Sequence, residues 1–307
     1  MKTLLRLLFL FCFFQNYSQN REPLELWYAA PAEDWMTEAL PIGNAYIGAM
    51  FFGDPTEEHI QFSEGSLWSG GPNSNPDYNF GLKEGAYKYL EEARGLLKEG
   101  NFKAADLTIK NNFKGSISRG KQYNGEFGDY GAQQTMGDLF VKPLHVDQYS
   151  DYTRRLDLNK AIGTVAYRVK GKHYKRSFFG NYPNNAMVYR FESEVKTDYE
   201  IKLKSPHEII DERFEHGTYF LRGKVADNGM EFETAVSIRA SGGKVSFKEG
   251  KILVSNCTDL ILVQVAATEY ELKFPTYSGN DYLAQNRKNL TEVKNKSYQQ
   301  LRQEHIA

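Results

Sequence analysis

The chain has 307 residues, and its 38 Lys+Arg stand against 39 Asp+Glu, a net charge of -1. That balance excludes a basic nucleic-acid binder. A hydrophobic fraction of 41%, a charged fraction of 25% and a mean hydropathy of -0.58 exclude wholesale disorder. The length suits one large β domain or two smaller ones, with ample material for a core.

At the N-terminus, Lys2 and Arg6 flank an apolar run over 7–14 that is too short to span a bilayer, and polar residues 15–19 follow. Residues 1–19 read as a secretory signal, although the small-x-small cleavage pattern is missing there. The bulky Phe11 before Cys12 argues against a lipoprotein. The mature chain is then expected in the periplasm or outside the cell, with no membrane attachment after cleavage. Losing Lys2 and Arg6 leaves 36 cations against 39 anions, a net charge of -3. Cys12 leaves with the signal, and Cys257, in strand-like surroundings, reads as a buried inert thiol. With no disulfide to form, an exported chain relies on its core.

Residues 26–80 mix short apolar runs with Gly, Pro, Asn and Trp; 47–53 and 59–62 read as strands around the turn Asp54-Pro55. Over about 82–113 the period changes: Tyr87, Leu90, Arg94 and Leu97, then Phe102, Ala105 and Ile109, recur at helical spacing on either side of Gly100-Asn101. This predicts a helical hairpin whose narrow apolar stripe places it on the surface of something larger. Residues 114–136 form a long loop of Gly, Gln and aromatics. From 137 to 272 the period is two, as in Val165-x-Tyr167-x-Val169 and Met187-x-Tyr189-x-Phe191. Turn signals at Lys170-Gly171, Arg222-Gly223, Gly242-Gly243 and Glu249-Gly250 punctuate it, so an antiparallel two-sheet sandwich is expected. The unbroken apolar run 260–267 predicts a central strand buried on both faces. Over 280–307 Leu290, Val293, Ser297 and Leu301 share one helical face, which predicts a single terminal helix. Its uncapped stop at His305-Ile306-Ala307 suggests missing downstream sequence.

Few motifs carry chemistry. The run 115–122 nearly spells a phosphate-binding loop, but Gln122 stands where a magnesium-binding hydroxyl belongs, and Gly and Asn follow instead of a helix. His59, His145, His173, His207, His216 and His305 are dispersed, so neither a metal nor a cofactor is called for. Glu126 and Asp129 in the glycine-rich loop read as solvated charges. Glu64 is more pointed, because it follows a strand and precedes Leu67-Trp68-Ser69-Gly70. An acid beside an exposed indole suits a sugar: the ring stacks on an apolar pyranose face and the carboxylate accepts from hydroxyls. The same spacing also suits a core Trp68 and a Glu64 that accepts from local backbone donors.

The order of these pieces says more. Leu26-Trp27-Tyr28, Pro31-Ala32, Trp35, the run 38–44, Gly48-Ala49-Met50, Phe52-Gly53, Ile60-Gln61, Glu64 and Leu67-Trp68-Ser69-Gly70 together resemble the start of family-95 glycoside hydrolases, the α-L-fucosidase family. The likeness continues through Gly137-Asp138-Leu139, residues 152–158, Val165, Tyr167, Gly171 and Tyr174, and ends at Tyr298, Leu301 and His305. Three places depart from the family's usual pattern. Gly43-Asn44-Ala45 replaces Gly-Asn-Gly, Ser63-Glu64-Gly65 replaces Asn-Glu-Asp, and 180–184 is altered from Ser-x-Pro-Asp.

The resemblance implies a mainly β, antiparallel two-sheet super-sandwich over 20–278 with the hairpin inserted. Residues 279–307 would then begin a helical linker to an (α/α)6 barrel absent from this chain. It implies inverting hydrolysis of terminal L-fucose or L-galactose from glycans, with the catalytic carboxyls on the barrel. No catalytic residue is therefore carried onto this sequence. Asn44, Glu64 and Trp68 are the substrate-binding candidates, at the rim of the barrel's pocket. Without the barrel, the stripe Leu290, Val293 and Leu301 is expected to lie exposed. The rival expectation is a stand-alone exported carbohydrate-binding protein.

Overall fold

The computed structural model describes residues 24–71, 84–113, 131–144, 146, 148–226 and 228–307. Residues 1–19, which read as a signal, the phosphate-loop-like run, Glu126, Asp129 and His145 lie outside the described residues. The strands are β1 Glu25–Tyr28, β2 Leu40–Gly43, β3 Ile47–Phe51, β4 Glu58–Glu64, β5 Gly137–Pro143, β6 Ser150–Asp157 and β7 Ile162–Val169. They continue as β8 Lys172–Asn181, β9 Ala186–Lys204, β10 Glu208–Glu215, β11 Thr218–Lys224, β12 Glu231–Ser241, β13 Lys244–Lys248 and β14 Lys251–Thr268. The helices are α1 Leu90–Lys98, α2 Phe102–Asn112, α3 Tyr282–Lys294 and α4 Tyr298–Ile306.

Among the described residues every strand pairing is antiparallel, and two long strands organise them. β9 has 19 residues and β14 has 18. The start of β9 and the end of β14 lie in the row β1-β6-β7-β8-β9-β14-β12-β11-β10. The end of β9 and the start of β14 lie in a second row with β5, β4, β3 and β2 on one side and β13 on the other. The register between β9 and β14 shifts on both sides of Cys257, where the pair passes from one row to the other. Bulges of this kind bend a strand. Cys257 is buried at that bend, and burial pushes its thiol up, so it stays protonated.

Period-two alternation then makes the core. Ile47, Ala49 and Phe51, Ile60 and Phe62, and Leu139 and Val141 project from the second row and join Val165, Phe178, Tyr189, Leu260 and Leu262 of the first in one apolar cluster. Phe51 and Phe178 meet across the sandwich at 4.8 Å. Two buried arginines pin loops onto this core. Arg176 Nη1 donates to Glu58 Oε2 at 2.7 Å and to the Asp54 carbonyl at 2.6 Å, while Nη2 donates to the Pro55 carbonyl at 2.8 Å. Burial pushes the Glu58 carboxyl up, and the guanidinium holds it back. Arg154 Nη1 donates to the Glu38 carbonyl at 2.7 Å and its guanidinium sits over the Tyr28 ring, tying the 30–39 segment to β6.

The hairpin forms where its spacing predicts. Asn101 caps α2 by accepting from the Ala104 N–H, and Ala93 and Ala105 are buried. The C-terminal segment differs from the single helix expected. Ser297 is not a stripe position but the N-cap of α4, in a reciprocal capping box with Gln300. Nor is the stripe exposed. Val293, Tyr298 and Leu301 pack on Phe179, Val188, Ile261, Val263 and Val265, the outer face of the first row, with Leu290 against them. Arg239 donates to the Val293 and Lys296 carbonyls, satisfying the C-terminal end of α3. The helices are why 260–267 is buried on both faces.

Candidate functional site

The site candidates lie on the turn between β2 and β3 and on the turn after β4. Asn44 occupies the first. Its Oδ1 accepts from the Ile47 N–H at 2.8 Å and the Tyr46 N–H at 3.1 Å, and its Nδ2 donates to the Asn181 carbonyl at 3.2 Å. Both ends of the amide are spent on closing the turn, and the residue is only 5% exposed. Asn181 continues the chain of bonds, its Nδ2 donating to the Leu301 carbonyl at 2.8 Å. The turn is thereby tied to α4. Gly180 makes the approach feasible, since a Cβ there would stand 2.5 Å from the Gly43 carbonyl.

The next residue, Ala45, has φ 72, a left-handed conformation that costs an L side chain about 1–2 kcal/mol. It projects Tyr46 outward, where its half-exposed ring stacks on Tyr182 at 5.9 Å. The Gly65 N–H donates to the Tyr46 carbonyl at 2.7 Å, joining the two turns.

Glu64 ends β4 facing inward. Its Oε2 accepts from the Ser66 N–H at 2.8 Å and the Ser66 hydroxyl at 2.5 Å, and the Ser66 Oγ lies 2.6 Å from Thr268 Oγ1. Burial pushes the carboxyl up and the Ser66 bonds oppose it. Trp68 is 46% exposed, with its indole N–H anchored on the Gly65 carbonyl at 3.0 Å. Of the two roles that the spacing of Glu64 and Trp68 allows, the structure divides them: Glu64 serves the local backbone, and Trp68 is outside the core.

Two hollows adjoin along the Gly65-Ser66 ridge. One, of about 360 Å³, is bordered by Glu64, Tyr46, Thr268, Tyr270, Asn280 and Gln285. The other, of about 490 Å³, is bordered by Trp68, Asn228, Met230, Tyr270 and Tyr277. Asn228 Nδ2 donates to the Trp68 and Gly70 carbonyls at 2.8 and 2.7 Å, which holds the indole turn in place. Aromatic faces next to amides and hydroxyls can hold a neutral polyol. Asn44 borders neither hollow and acts through the turn it closes. Asn228, Tyr270, Tyr277 and Asn280 carry no motif in the sequence that marks them for this site.

Fold and hollows together define a mainly β, sandwich-type domain with an aromatic-edged surface cleft. Residues 26–273 match the model for the N-terminal domain of glycosyl hydrolase family 65, and the chain belongs to that family. Among curated proteins it is similar to a probable alpha-fucosidase A of Aspergillus oryzae, 25% identical over 92% of this chain and 39% of that protein. It is also similar to alpha-L-fucosidase 2 of Arabidopsis thaliana, 25% identical over 92% of this chain and 35% of that one. The chain thus spans well under half of these relatives. Its fold superposes on a putative kojibiose phosphorylase from human microbiome with a TM-score of 0.54 and 10% identity, over 93% of this chain and 37% of the other.

Proposed function

We propose that the chain is the N-terminal super-sandwich unit of an exported, family-95-like glycoside hydrolase acting on terminal α-L-fucose or α-L-galactose. In that role it supports an (α/α)6 catalytic barrel and lends the Tyr46, Glu64 and Trp68 turns to the rim of the sugar pocket. The observation that carries this reading is the pair of hollows along Gly65-Ser66, with the half-exposed Trp68 indole at one end and the Glu64 carboxyl at the other. Inverting hydrolysis requires two carboxyls about 6.5–9.5 Å apart to admit a water. Glu64 is engaged with Ser66 and is not assigned to that pair.

Two measurements test the proposal. The three tryptophans, Trp27, Trp35 and Trp68, give separable indole N–H resonances. Titration with methyl α-L-fucopyranoside is expected to shift the Trp68 resonance saturably, and Trp68→Ala to weaken binding at least about tenfold. An unmoved Trp68 indole defeats the rim assignment. The purified chain is expected not to hydrolyse an aryl α-L-fucoside. Turnover that survives repurification and disappears on mutation of a residue within 1–307 defeats the non-catalytic role.

A second reading, a stand-alone exported carbohydrate-binding protein, is favoured by the docking of α3 and α4, which buries Val293 and Leu301 on the sandwich itself. Submillimolar sugar affinity without turnover supports this second reading over a unit that completes its site only with a barrel.

A further inference from the structure

We propose that the outer face of β2, β3 and β4 carries a second sugar-binding groove, which seats a neutral pyranose between Trp35 and Tyr46. Its ligand class rests on the carbohydrate reading above; its place rests on the geometry of this face. The groove has a volume of about 610 Å³, enough for more than one sugar ring, and shares only Ala45, Tyr46 and Gly65 with the hollows beyond the turn.

Strand register explains how the floor arises. On the outward side Gly43 pairs with Gly48 and Gly48 with Ser63, while Pro41, Met50 and Gln61 form the neighbouring row. A Cβ built on Gly48 meets nothing within 4 Å, so packing within the chain does not demand glycine there. What its absence of a side chain provides is bare backbone open to a ligand, a recurrent use of strand glycine. Trp35 and Tyr46, each 45% exposed, stand over this floor as apolar walls, and the Tyr46 ring is already held by its stack on Tyr182.

Among the described residues, the lining contains no Asp, Glu, Lys, Arg or His. A charged ligand would meet no counter-charge, whereas a neutral polyol loses little on entry. Polar partners are present and oriented. The Ser63 hydroxyl donates to the Gln134 carbonyl at 2.6 Å and the Thr135 hydroxyl to the Phe62 carbonyl at 3.3 Å, so their oxygen lone pairs remain for incoming O–H donors. The Gln61 Nε2 donates to Asp138 at 3.3 Å, which fixes its amide from outside the groove. Flat aromatic walls with hydroxyl acceptors beneath suit a pyranose, whose C–H face is apolar and whose rim is hydroxyl.

The indole titration separates this groove from the first site. Methyl α-L-fucopyranoside is the probe, methyl α-D-glucopyranoside the second sugar, and ethylene glycol the control. A saturable shift of the Trp35 indole with at least one sugar is expected. Gly48→Val adds an isopropyl group to the open floor and is expected to weaken that shift at least about tenfold, leaving the Trp68 titration and the circular dichroism unchanged. Trp35→Ala removes the reporter together with the wall, so its effect is read from the Gly48 backbone N–H resonance, whose sugar-induced shift is expected to be lost. A moving Trp68 with a still Trp35 overturns the groove and leaves the proposed function standing. A moving Trp35 with a still Trp68 supports the groove and defeats the rim assignment instead. If neither indole moves with either sugar, both fall. A Trp35 shift that survives Gly48→Val, or that ethylene glycol reproduces, also overturns the groove.

Discussion

Ala45 shows how much a single turn residue constrains. With φ 72 it sits where glycine is at ease and a Cβ is not, in the very position that departs from the Gly-Asn-Gly of the resembled family. Ala45→Gly is expected to stabilise the fold by about 1 kcal/mol, read from urea unfolding, since relief of the left-handed strain outweighs glycine's extra unfolded-state entropy. An equal or lower stability would show that the turn already accommodates the Cβ. Glu64 supplies a pH dependence. Burial raises its carboxyl above the ordinary 4.5, so the folded state holds the proton more tightly than the unfolded one. Its contribution is full below about pH 4.5 and is lost as pH rises through the folded-state value. Other carboxyls, among them Asp157 and Glu304, are lowered and slope the opposite way, so the test is a difference. Glu64→Gln is expected to gain on the parent progressively as pH rises above about 4.5. A pH-independent difference in unfolding free energy would sink the assignment.

Two helices of similar length are used in opposite ways here. Leu301 on α4 is fully buried against the sheet, whereas Phe102 at the start of α2 is 69% exposed. Leu301→Ala is expected to cost about 2–5 kcal/mol. Phe102→Ser is expected to change stability by no more than about 0.5 kcal/mol. Chemical denaturation of the two variants decides it, and comparable losses would mean that the hairpin, too, is packed. The sequence pattern shows both helical regions but not this difference, because a stripe of apolar residues does not say what it meets. The strands were readable wherever one face is polar, as in Val165, Tyr167 and Val169, and the central strand was readable from its unbroken run. The bend at Cys257 was not, since it comes from a register shift between partners far apart in the chain. Ser297 fell on the helical spacing and was misplaced on the stripe, although Ser-x-x-Gln is itself a helix-start signal. At the site, Glu64 and Trp68 were visible because they share one short turn. Asn228 and Tyr270 reach the hollow beside Trp68 only after the sheet has closed.

For the molecule as a whole, the docking of α3 and α4 reverses the expectation of an exposed terminal stripe. Leu290, Val293, Tyr298 and Leu301 cover the outer faces of β8, β9 and β14, and the last two are the strands that both rows share. Full burial of such a side chain is worth about 1.5–3 kcal/mol, so the group contributes on the order of 5–10 kcal/mol as an upper estimate. A domain's total stability is about 5–15 kcal/mol. Polar anchors add to the loss: Asn286 Nδ2 donates to the Glu233 carbonyl at 2.9 Å, and Arg222 Nε donates to the Tyr282 hydroxyl at 2.7 Å. A chain shortened to end at residue 278 would expose Ile261, Val263 and Val265 together and strand the Asn181 amide that ties α4 to the Asn44 turn. It is expected to melt well below the chain ending at 307, to bind a hydrophobic dye and to scatter light at concentrations where the longer chain stays clear. Hydrogen exchange at Tyr46 and Ile47 is expected to accelerate in the shortened chain, because their N–H groups bond to the Asn44 side chain. Equal melting temperatures and equal dye binding would mean that the sandwich closes without its terminal helices, and that their seat on it adds nothing to the stability of the fold.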